Sequence, residues 1–149
     1  MPVLYNIIQH AHSGMRYVVL VLLIAAILKA FSKRRGGSVY PGKDGLALMA
    51  FISTHIQLLL GLILYLWLSP YVKFEEGIMA DRVTRFFTVE HFMGMLIAIG
   101  LINFGYMRAK RQAELNKGWK TISLFYFIGL VLIVISIPWP FRDLGAGWF

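Results

Sequence analysis

The stretch HSGMRYVVLVLLIAAILK, residues 12–29, and the stretch HFMGMLIAIGLINFGYMR, residues 91–108, decide how this chain folds. Each begins with a histidine, runs through mostly apolar residues and ends on a basic one, Lys29 or Arg108. Read as helices, with a rise of about 1.5 Å per residue, both place the histidine ~25 Å from the basic end. That is most of the way across a hydrocarbon core of ~30 Å. Ionisable side chains at such depth are costly and mark functional sites by default. His12 and His91 are therefore expected at one level on two membrane helices. Two imidazoles so placed can hold a metal or a haem iron between them.

The rest of the chain agrees with a membrane setting. Of its 149 residues 58% are hydrophobic and only 15% charged, where a soluble domain carries about 25% charge. One membrane domain, 1–149, is the natural size reading. The absence of cysteine excludes disulfides, thiolate zinc sites, iron–sulfur clusters and c-type haem attachment. The net charge of +8 falls mainly in two loops, which is explained by membrane orientation and not by a nucleic-acid footprint. No basic n-region or small-residue cleavage site precedes the first apolar segment, so no cleavable signal is expected. Neither a Gly-x-Ser-x-Gly elbow nor a phosphate loop is present.

Four segments reach the ~20 residues that a spanning helix needs: 4–28, 46–68, 86–107 and 121–137. Proline halts the second at Ser69-Pro70 and the fourth at Pro138-Trp139-Pro140. The first loop carries Lys29, Lys33, Arg34, Arg35 and Lys43 against Asp44. The third carries Arg108, Lys110, Arg111, Lys117 and Lys120 against Glu114, and the second is balanced. The positive-inside rule then puts both basic loops in the cytoplasm and both termini outside. Trp67, Trp139 and Trp148 fall at the outer interface and Trp119 at the inner one. Short loops imply an all-α, up-down-up-down four-helix bundle with helices one and three on its diagonal.

Polar residues gather in the outer half. His12 and Arg16 are four apart and share a helix face, whereas His10 lies ~200° round from His12 and points away. Glu90 is the lone acid within a span, so Arg16–Glu90 is the expected ion pair, pinning helix one to helix three. His55 lies about one turn deeper than the other two. There it can assist a cofactor or contact a quinone, or serve as a satisfied core histidine beside Thr54 and Gln57. Gly94 and Ala98 make a small-xxx-small step next to His91, which suits close helix packing or a flat macrocycle equally.

The segments 12–17 (HSGMRY), 55–65 (HIQLLLGLILY), 85–91 (RFFTVEH) and 137–141 (IPWPF) resemble a family of small four-span bacterial proteins labelled cytochrome B. More distantly the pattern is similar to cytochrome b561-type bundles and one half of haem A synthase. The resemblance covers nearly the whole chain and implies a multi-pass protein of the bacterial inner membrane. It implies haem ligation by membrane histidines. Helix four has no histidine, so one haem b is expected, with His12 and His91 as axial ligands. Arg16 and Arg85 are the candidate propionate partners. The expected role is one-electron transfer tied to the quinone pool or a respiratory complex, with no catalytic residue. Two alternatives stand beside it: a non-catalytic subunit of a larger respiratory assembly, and a quinone- or metal-binding protein using His12, Glu90 and His91.

Overall fold

Every regular element among the described residues is helical. The computed structural model describes residues 2–113, 117–145 and 147–148. Glu114, counted above among the loop charges, and Phe149 lie outside the described residues. Among the described residues four helices are long and apolar enough to cross a membrane: α1 (Pro2–Arg35), α2 (Gly45–Leu68), α3 (Arg82–Arg111) and α4 (Gly118–Ser136). Their outward faces carry large apolar side chains such as Val21, Leu28, Leu59 and Ile135, each more than 60% exposed, as contact with lipid acyl chains requires.

α1 packs against α2 and α4, and α3 packs chiefly against α4. α1 and α3 thus face each other across the bundle and are not packed neighbours. Small residues carry the closest approaches. Ala26, Ala30, Ala47, Ala50, Ala98 and Ala109 are all buried, around Leu23, Ile102, Ile122 and Tyr126. Alkyl-to-alkyl burial drives little between helices in lipid, so tight packing of small side chains does the holding. Gly94 and Ala98 are spent in this way. A Cβ on Gly94 would run into Ser136 of α4, and the Ala98 carbonyl lies 3.2 Å from where a Cβ on Gly129 would stand.

Two helices outrun their expected limits. α1 continues past Lys29 to Arg35, because Lys33, Arg34 and Arg35 favour the negative end of the helix dipole. It stops in a Schellman turn. Gly37 adopts φ +67°, its N–H bonds the Arg34 carbonyl at 3.3 Å, and the Ser38 N–H bonds the Lys33 carbonyl at 3.0 Å. α3 starts four residues before Phe86, where the Asp81 carboxylate accepts the Thr84 N–H at 2.8 Å as an N-cap. The Asp44 carboxylate caps α2 in the same way through the Ala47 N–H (3.0 Å), and it also pairs with Lys29 of α1.

Two single π-turns occur, Leu64–Leu68 closing α2 and Phe86–Glu90 inside α3. Such turns insert one extra residue and rotate whatever follows. The second delivers His91.

Candidate functional site: two imidazoles across a membrane cleft

His91 and His12 meet in the middle of the bundle. Their ring centroids are 6.3 Å apart with the planes at 78°. The cleft around them holds a volume of about 160 Å³, lined from α1 by Gln9, His12 and Arg16, from α2 by Gln57, and from α3 by His91 and Phe92. Its lining on α1 runs from Tyr5 to Val19, fourteen positions or ~21 Å along the axis. It is a long apolar slot with a few polar groups converging on one level.

Proline chemistry at the end of α4 orients His91. The last carbonyls of a helix lack intrahelical donors, and Pro138 and Pro140 bring no N–H to positions 134 and 136 four residues back. Other groups fill in. Trp139 Nε1–H donates to the Val134 carbonyl at 2.8 Å, and Arg142 donates to those of Ile135 (2.8 Å) and Ile137 (3.2 Å). His91 Nδ1 binds the Ser136 carbonyl at 2.7 Å. A carbonyl can only accept, so Nδ1 carries the proton and Nε2 of a neutral ring is left with its lone pair. A backbone carbonyl behind a ring nitrogen is the usual device for fixing the tautomer of a metal-binding histidine.

His12 is held from α2. Gln57 Nε2–H donates to the His12 main-chain carbonyl at 2.9 Å and lies 3.4 Å from the ring Nε2. A Cβ on Gly61 would stand 3.0 Å from the His12 ring, so the glycine lets that ring lie close against α2. His12 Nδ1, Gln57 Oε1 and Arg16 Nε are buried without a hydrogen-bond partner among the described residues. All three side chains line the slot. Buried polar atoms are nearly always satisfied, so three orphans on one cleft point to a ligand.

Among the described residues Arg16 and Glu90, the expected pair, have other partners. Glu90 accepts from Arg85 Nε at 2.8 Å, both side chains being more than a third exposed. The π-turn is the reason: i and i+5 come round to the same side, which brings Arg85 to Glu90 and carries both away from the slot. Arg85, expected beside a propionate, therefore spends its guanidinium on Glu90 and on the Met79 carbonyl (3.0 Å). Arg16 is only 8% exposed and its NH2 group donates to the Trp148 carbonyl (2.6 Å) and the Tyr17 hydroxyl (3.2 Å). Its guanidinium also lies over the Tyr17 and Trp139 rings. Glu90 is thereby withdrawn from any shared site with His12 and His91.

His55 does not line the slot. Its Nδ1 bonds the Phe51 carbonyl of its own helix at 2.8 Å and its ring packs on Phe51. His10 is exposed, on the far side of α1 from His12. The residues that sequence reasoning passed over as partners are Gln57, Gly61 and Ser136. Ser136 was foreshadowed by Pro140, whose missing N–H frees its carbonyl.

Two imidazoles are too few for a metal centre built from protein ligands alone, which takes three or four. Among the described residues no three His, Cys, Asp or Glu side chains cluster. They do suit a metal that arrives with its own equatorial donors. Imidazoles on opposite sides of one ion, with bonds of ~2.0 Å and ring radii of ~1.1 Å, would set their centroids ~6 Å apart. The observed separation and the orphaned Arg16 nitrogen suit such a group. No family model, no curated protein and no solved structure matches the chain.

Proposed function

We propose that this protein is a b-type cytochrome of the bacterial inner membrane, carrying one haem b between His12 and His91 and passing single electrons. The observation that carries the reading is the pair itself: two imidazoles 6.3 Å apart on helices that do not otherwise pack, with His91 locked by the Ser136 carbonyl. Haem iron with two imidazole ligands has no open position for substrate, so what it supplies is one-electron exchange. The chain does the rest. Ser136 fixes the His91 ring and its tautomer. Gln57 holds His12 through its backbone. Arg16, which forms no ion pair among the described residues, offers its guanidinium to an acidic group such as a propionate. Apolar side chains from α2, α3 and α4 line much of the slot.

In this reading the bundle runs up-down-up-down with both termini outside, as the basic first and third loops direct. The partners are the quinone pool or subunits of a respiratory complex.

The deciding measurement is a reduced-minus-oxidised visible spectrum of protein purified from haem-replete cells. Haem b bands at one haem per chain are expected. A chain that purifies colourless, and stays so after haem is added, would sink the proposal and leave a non-catalytic subunit of a larger assembly as the reading to pursue.

A further inference from the structure

We propose that the outward face of α3 near its basic end is a binding site for one anionic glycerophospholipid, its phosphate on Arg108 and Arg111, its ester carbonyl on Asn103 and an acyl chain along Gly100 and Phe104.

The face is built by helical spacing. Gly100, Asn103, Phe104, Met107, Arg108 and Arg111 line one groove. At 100° per residue they lie within roughly 140° of one another, so they form one stripe. Gly100 is the floor: a Cβ there would meet no atom within 4 Å. Phe104 is 51% and Met107 43% exposed, and the Arg108 guanidinium lies 5.8 Å from the Phe104 ring centre. The stripe is therefore apolar at one end and doubly cationic at the other, the pattern of a phospholipid in reverse.

Arginines at the end of a spanning helix are by themselves only an orientation signal. Asn103 is what makes this face different. It is an exposed amide inside the spanning segment, five residues or ~8 Å before Arg108. Its side chain has no hydrogen-bond partner among the described residues. A primary amide facing acyl chains alone is costly. The glycerol ester region lies just inside the phosphates, at the depth where such an amide can donate to a carbonyl. Arg108 and Arg111 likewise form no ion pair among the described residues, and two neighbouring guanidinium groups suit a phosphate. Basic pockets on membrane helices bind anionic headgroups by this chemistry.

The test uses the full chain in phosphatidylcholine nanodiscs doped with phosphatidylglycerol, with retained lipids counted by native mass spectrometry. Preferential retention of phosphatidylglycerol is expected, falling roughly five-fold for each of Arg108→Gln and Arg111→Gln. The control Lys33→Gln with Arg34→Gln removes two exposed charges from the end of α1 and should leave retention unchanged. Equal loss in that control would reduce the effect to diffuse attraction and overturn the site. Ester-linked phosphatidylglycerol should be favoured over its ether analogue, and Asn103→Leu should erase that preference. No ester preference in the wild type also overturns the assignment, and so does competition by inorganic phosphate, which would make the ligand a soluble anion. None of these readouts depends on haem.

Discussion

At the scale of single residues, the four histidines divide by environment. His12→Ala and His91→Ala should each abolish a bis-histidine spectrum, because one remaining imidazole leaves iron five-coordinate or unbound. His10→Ala should leave the spectrum intact, its ring being exposed on the opposite face. His55→Ala should leave the spectrum in place, since that ring is spent on the Phe51 carbonyl. Added imidazole restoring the bands in His12→Gly would separate loss of a ligand from loss of fold. Spectral loss only through His55 would refute the assignment. Arg16 supports a second prediction. No hydrogen bond or ion pair links it to Glu90 among the described residues, so a double-mutant cycle of Arg16→Leu with Glu90→Gln should be additive within about 0.5 kcal/mol. The Arg85/Glu90 cycle should instead show a coupling of about 0.2–1 kcal/mol, as exposed pairs do. A larger coupling between positions 16 and 90 than between 85 and 90 would reverse the pairing.

At the scale of elements, contacts between helices leave no room for added atoms. A Cβ on Gly129 would stand 2.6 Å from Ile102 Cγ1 and 3.2 Å from the Ala98 carbonyl. A side chain can rotate, but the α3 backbone has to move. Gly129→Val should therefore lower stability in detergent by about 1–3 kcal/mol, whereas Gly14→Ala, with nothing within 4 Å, should be neutral or better. Similar thermal midpoints for the two variants would mean that α3 and α4 do not pack as described. The start of α3 carries a pH dependence. Hydrogen bonds from Thr84 hold the Asp81 carboxyl below the usual carboxylate range. A depressed folded value means the cap is fully present above the ordinary aspartate pKa and is lost as pH falls through the lowered one. The protection of the Thr84 amide, relative to an unstructured amide at the same pH, should fall on that acid side, and Asp81→Asn should remove the step. A step unchanged in Asp81→Asn would assign it to another group.

For the whole molecule, loop charge is the lever on orientation. A periplasmic reporter fused after Phe149 should be active and one fused near Gly36 inactive. The reverse would put the His12–His91 level in the cytoplasmic leaflet. Reversal would leave the bundle itself untouched, because helix packing does not depend on which side faces out.

The number of helices, their rough limits and the meeting of His12 with His91 were legible without coordinates. Hydrophobic length is a local property, and depth along a helix is simple counting from Lys29 or Arg108. The direction of His10 away from His12 followed from helical period alone. What could not be read was every fact that depends on a turn departing from that period. The π-turn at Phe86–Glu90 adds one residue to the count, and with it Glu90 goes to Arg85 and not to Arg16. Gln57 and Gly61 reach His12 only because α2 packs on α1, and Trp148 reaches Arg16 across 132 residues of chain. A sequence states how deep a side chain lies. Which neighbour it touches there is decided by how the helices are rotated against one another, and small residues, π-turns and proline-freed carbonyls set that rotation jointly.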